Sequence, residues 1–212
     1  MVVLIVLAAA VAVLAVVLVA NAARLKPTPV LDPLPPSAAA GDDAAVERFR
    51  ALLRIPTVWD LRNPDADRTA FDGFVPALRR LYPAVFEACE LELIDGRGIS
   101  LLWKGANREL APIVLMAHHD VVDADPVGWT HDPFAADIDD GRIYARGAVD
   151  TKCVWAGLME AAERLIAEGF TPPRDVYFFS SNTEEDGGDT APHMVEHLQR
   201  IGRVPYMVVD EG

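Results

Sequence analysis

Three short apolar runs each hand the chain directly to a chemistry-bearing residue. Ile113–Ala117 ends on His118, Val176–Ser180 enters a polar loop holding Glu184 and Glu185, and Tyr206–Val209 ends on Asp210. Runs of this length and composition, bounded by polar stretches, read as buried strands. Helical patterns lie between them: Val154–Glu168, amphipathic and closed by Gly169, and Met194–Ile201. Strands alternating with helices predict an α/β fold, a mixed, largely parallel sheet with helices on both faces. In such sheets ligand groups gather beyond the carboxyl ends of the strands. Three acidic or imidazole clusters at three strand ends are what a shared metal site requires.

Upstream, Asp42 or Asp43 caps a helix whose Val46, Phe49 and Leu53 share one face, ending at Ile55-Pro56-Thr57. A second helical pattern covers 67–82 with Phe71, Phe74, Leu78 and Leu81 in register; Pro76 inside it predicts a kink or a break. Cys89–Ile94 and Ile99–Trp103 read as strands joined by the turn Asp95-Gly96-Arg97-Gly98. No internal repeat is present. Cys89 and Cys153 are the only cysteines, too few for a disulfide framework, and read as two independent thiols, with a single bridge left open.

The first twenty residues are apolar without a break. As a helix they span about 30 Å, the thickness of a bilayer's hydrocarbon core. The run is longer than a signal peptide's apolar region and no Lys or Arg precedes it, which favours an uncleaved anchor. Ala20-Asn21-Ala22 keeps a cleaved signal open. Residues 1–22 are therefore read as an anchor or signal segment and 23–41, with Pro27, Pro29, Pro33, Pro35 and Pro36, as a stiff linker. The folded unit is expected over 42–212. Arg24 and Lys26 favour a cytoplasmic C-terminal side, but two charges bias orientation weakly. The protein is expected to be membrane-anchored or secreted, with its catalytic domain outside the cytoplasm.

A net charge of −13 argues against nucleic acid as a partner, because binding a phosphate backbone wants clustered Lys and Arg. Part of that charge has a use of its own, since carboxylates that hold divalent cations count as net charge until the metal binds.

Taken singly, each cluster has an ordinary explanation. In Met116–Val122, His118 beside Asp120 makes a local hydrogen bond; alternation also puts both side chains on one side, where Asp120 orients a metal-binding His118. Asp150 stands where a helix cap belongs. Glu184 and Glu185 read as a solvated pair, or as one metal ligand beside one proton acceptor. Asp210 reads as a turn residue. In this order along one chain, they point together to metal-assisted hydrolysis.

The sequence resembles the M20 metallopeptidases, nearest to the carboxypeptidase S and N-acyl-amino-acid hydrolase branch. The likeness runs from Ile55-Pro56-Thr57 to Asp210-Glu211-Gly212. It is carried by His118-His119-Asp120-Val121-Val122, Trp129 with Asp132-Pro133-Phe134, Tyr144 to Lys152, Glu184-Glu185, and Asp210-Glu211-Gly212. The resemblance implies two zinc ions, with Asp150 bridging them. His118 and Asp210 complete one site, Glu185 joins Asp150 at the other, Glu184 is the general base and Asp120 orients His118. It also implies a small peptide or N-acyl-amino-acid substrate cleaved at an amide bond. Ala145 replaces the family's usual glycine and Asp123 its usual proline; neither is a ligand position.

The family also uses one more His ligand downstream and a second domain for dimerisation and substrate contact. The chain is thus expected to be the N-terminal part of a zinc-dependent exopeptidase-like catalytic domain. The alternative is an inactive fragment or metal-binding remnant. His193-Met194-Val195-Glu196-His197 matches the inverted zinc-peptidase signature H-x-x-E-H, but is read as a solvated helix face. His119 is expected to point away from the metal, and His131 to lie at the rim or surface.

Overall fold

The computed structural model describes residues 2–24, 42–63 and 67–211; most of the Pro-rich linker lies outside them. Residues 1–41 and 42–212 form two separate units. In the first, α1 (Val2–Arg24) has a mean hydropathy of 3.5 over its most apolar window. Its 23 residues reach about 35 Å, long enough to cross a bilayer.

The second unit begins with α2 (Asp43–Leu53), capped by Asp42, whose side chain accepts the Ala45 amide at 3.1 Å. Helix α3 (Thr69–Leu81) runs through Pro76 without a break. Phe74 and Leu78, on either side of the proline, are fully buried, and that packing holds the helix together across the missing hydrogen bond. The break falls instead at Tyr82, before the short α4 (Pro83–Ala88). A hairpin of β1 (Cys89–Ile94) and β2 (Gly98–Trp103) follows, then β3 (Ile113–His118). A small hairpin, β4 (Asp137–Asp139) and β5 (Arg142–Tyr144), precedes α5 (Lys152–Ala167). The chain ends with β6 (Val176–Ser181), α6 (Thr190–Arg200) and β7 (Met207–Val209).

The main sheet has the order β1-β2-β6-β3-β7. Strand β3 pairs in parallel with β6 and with β7, whereas β2 is antiparallel to both β1 and β6. Four of the five strands therefore point the same way and β2 alone runs against them, which is the mixed, largely parallel sheet expected. Alternation along the strands builds a core on each face. Ile99, Leu101, Trp103 and Phe178 pack under α2 to α5 with Phe74, Trp155 and Met159. Val114, Tyr177 and Phe179 face Met194 and Leu198 of α6. Strand β6 is buried at every residue, as its unbroken apolar run requires. Both cysteines are free.

Candidate active site

The parallel set β6-β3-β7 aims three carboxyl ends at one edge of the sheet. Register places His118 opposite Ser181, three residues before Glu184, and Leu115 opposite Val209, just before Asp210 and Glu211. Asp150 arrives from the other direction, on the turn that leads into α5; the Asp150–Thr151 peptide is cis.

These loops converge on the buried imidazole of His118. Its Nε2 lies 3.0 Å from Asp150 Oδ1, 3.3 Å from Glu211 Oε1 and 3.5 Å from Glu184 Oε2. Its Nδ1 faces the Asp120 backbone carbonyl at 3.0 Å and the Asp120 carboxylate at 3.5 Å. Asp120 is fully buried, and its other oxygen accepts the Glu185 amide at 3.1 Å, so one carboxylate braces two clusters. Two groups share His118 and have ligand atoms close enough to hold an ion: His118 with Asp150 and Glu185, and His118 with Glu184 and Glu211.

The charges do not balance without a cation. Burial alone would lower the His118 pKa, but hydrogen bonding and charge from Asp120, with the charge of Glu211, outweigh it and raise the value to about 10. Burial pushes Glu185 up, and the charges of Asp150 and Asp120 add to it. Glu211 is pushed up by burial first, with Glu184 and Asp210 adding to it against Thr151 and His118. Asp120 Oδ1 and Glu211 Oε2 are buried without a hydrogen-bond partner. An imidazole that holds its proton, crowded carboxylates that resist losing theirs and unpartnered buried oxygens are the signs of a set built for a cation. Oxygen donors with one imidazole suit zinc and other divalent metals.

Of the six residues singled out in the sequence, His118, Asp120, Asp150, Glu184 and Glu185 come together. Asp210 does not reach the cluster in this geometry: it is exposed and accepts the amide of Glu211 at 3.0 Å. Glu211 turns toward His118 instead, its Oε1 3.3 Å from Nε2. Sequence reading also passed over Lys152. Burial lowers its pKa to about 7, against the pull of Asp120.

The remaining histidines sit elsewhere. His119 is buried, stacked on Phe74 at 4.6 Å with its Nδ1 2.8 Å from Ser180 Oγ, and burial drives its pKa well down. It turns away from the cluster, as expected. His131 is part-buried, stacked on Tyr144. His193 and His197 pair with Asp95 and Glu92 at 3.4 and 3.2 Å.

The family model for peptidase family M20/M25/M40 matches residues 114–212. The chain belongs to this family. Among its relatives are the N-fatty-acyl-amino acid synthase/hydrolase PM20D1 of Xenopus tropicalis, 35% identical over 79% of this chain and 33% of its own length, and the pig (Sus scrofa) aminoacylase-1, 38% identical over 70% and 35%. An uncharacterized carboxypeptidase of Schizosaccharomyces pombe is 33% identical over 78% and 29%. The chain thus spans about a third of the length of the curated relatives it matches. Human carnosine dipeptidase 1 shares the fold with a TM-score of 0.61 and 20% identity, covering 80% of this chain and 38% of that one. An M20 metallo-carboxypeptidase of Sulfolobus solfataricus gives 0.60 and 22%, over 79% and 37%.

Proposed function

We propose that this protein is a zinc-dependent hydrolase that cleaves the amide bond of a small peptide or an N-acyl amino acid. The observation that carries the proposal is the convergence of Asp150, Glu184 and Glu211 within 3.5 Å of one buried imidazole nitrogen. The N-acyl-amino-acid and carboxypeptidase names of the relatives support the substrate class.

His118, Asp150 and Glu185 would hold the metal pair, with a third carboxylate from Asp210 or its neighbour Glu211. The family resemblance assigns that last role to Asp210. When bound, divalent zinc supplies Lewis acidity toward a water and the scissile carbonyl. Glu184 takes the proton from the attacking water and delivers it to the leaving nitrogen. Its side chain is half exposed, open to both water and substrate. Asp120 fixes the imidazole through Nδ1, leaving Nε2 for the metal. Helix α1 anchors the protein in a membrane or serves as its export signal, with the hydrolase domain outside the cytoplasm.

The test is metal analysis of the full-length protein alongside hydrolysis of N-acyl amino acids and dipeptides. Two zinc ions per chain, loss of activity on chelation and its return with zinc are expected. Activity that survives complete chelation would overturn the proposal.

A further inference from the structure

Lys152 is fully buried two residues beyond Asp150, and the chemistry proposed above does not use it. Its Nζ donates to the carbonyls of Ile55 at 2.7 Å and Leu52 at 3.3 Å, and stands 5.5 Å from the ring centre of Phe74. Leu52 lies in the last turn of α2 and Ile55 just beyond it; each carbonyl also accepts a backbone amide, from Ile55 at 3.2 Å and from Thr57 at 2.9 Å, so Lys152 adds a second donor to both. The Lys152 amide donates to Gly147 O at 3.1 Å. A Cβ on Gly147, whose φ is +82°, would stand 3.4 Å from the lysine's Cδ and 2.9 Å from a Val121 methyl. The lysine stem thus fills the floor of the turn that carries Asp150.

Burying an amine is costly, and a methionine would fill the same space without that cost. The amine's N–H groups have a use where they end, because the segment they grip also grips the other two loops of the site. Val121 N donates to Thr57 O at 2.9 Å, Trp59 N donates to Val121 O at 3.0 Å, and Thr57 Oγ1 donates to the carbonyl of His119. Farther along, Leu61 N donates to Asp186 Oδ2 at 2.8 Å, next to Glu185. Residues 52–61 therefore hold the His118 loop and the Glu185 loop directly, and the Asp150 loop through Lys152.

We propose that Lys152 is a positioning residue that sets Asp150 against His118 by fastening its loop to the end of α2. This rests on the metal-centre reading above. The two substitutions Lys152→Met and Lys152→Gln test it, with zinc affinity measured by chelator competition on folded full-length protein. Positioning expects zinc to bind tenfold to a hundredfold more weakly in Lys152→Met, the range seen when supports of metal ligands are lost, and less weakly in Lys152→Gln, which keeps an N–H donor. A lysine that only fills the core leaves affinity unchanged, or tightens it by removing positive charge near the carboxylates; either result overturns the inference. If neither variant folds, hydrogen exchange of the wild type decides. Zinc should slow exchange of the Arg54 and Ile55 amides at the end of α2, and no change there overturns the inference. Wild-type protein that binds no zinc defeats the metal-centre reading itself, a separate outcome.

Discussion

His118 Nε2 and Asp150 Oδ1 stand 3.0 Å apart although 32 residues of chain separate them. The pair joins a strand end to a helix entrance, and every other acidic group of the site is arranged around it. Without a cation, the contact is a hydrogen bond from a protonated imidazole. In the metal centre proposed above, both atoms would be ligands. The proton and the metal therefore compete for the same place.

That competition sets a pH dependence. Burial lowers the His118 pKa, but Asp120 and Glu211 outweigh it and push it up to about 10, so zinc binding at Nε2 should displace a proton. Zinc affinity should rise by about tenfold per pH unit between pH 7 and 9, with release of about one proton, read by calorimetry in buffers of different ionisation heat. Binding without proton release would contradict this. Stability of the metal-free protein is a poorer readout, because two groups oppose each other. The raised His118 stabilises below about pH 6.5 and loses that contribution as pH rises through about 10. The lowered Lys152 costs stability below about pH 7, and that cost is relieved as pH rises toward 10.5.

Glu211 reaches His118 at 3.3 Å while Asp210 is exposed and accepts the Glu211 amide, so the proposed metal centre would take one of the two as ligand. Of Asp210→Asn and Glu211→Gln, one should weaken zinc binding by tenfold or more and the other should leave it nearly unchanged. Equal effects from both, in a chelator titration, would contradict that choice.

Asp120 accepts the Glu185 amide and faces His118 with an otherwise unpartnered oxygen. Asp120→Asn replaces an acceptor with a donor between those partners. Zinc affinity should fall by about tenfold to a hundredfold while the protein stays folded by circular dichroism. An unaltered affinity would show that Asp120 does not orient the ligand.

His193 and His197 pair with Asp95 and Glu92 and stand apart from the carboxylate cluster. The double replacement His193→Ala and His197→Ala should leave zinc content unchanged. Loss of bound zinc, measured by atomic absorption, would move the metal centre to α6.

The strands and helices that build the site are legible in the sequence because their patterns are long or end in distinctive residues. Strands β3 and β6 are continuous apolar runs, and α5 is a long amphipathic helix closed by Gly169. The β4–β5 hairpin is not, since each strand has three residues and Asp137 and Asp139 mask its period. Its one signal is the turn Asp140-Gly141, where both residues have positive φ. Pro76 misleads, because buried neighbours hold a helix that local preference alone would break. Five site residues follow from strand ends and motif order. The approach of Glu211 to His118 does not, because it depends on how the chain turns after β7. Lys152 closes the Tyr144–Lys152 motif, but the contacts of its side chain depend on where α2 ends in space.

The most direct measurement is the hydrolysis rate of Glu184→Gln at matched zinc content, on an N-acyl amino acid that the wild type cleaves. The account predicts full zinc occupancy and a rate lower by about a hundredfold to ten-thousandfold, the contribution of a general base. A zinc-loaded Glu184→Gln protein that hydrolyses its substrate at the wild-type rate would contradict it.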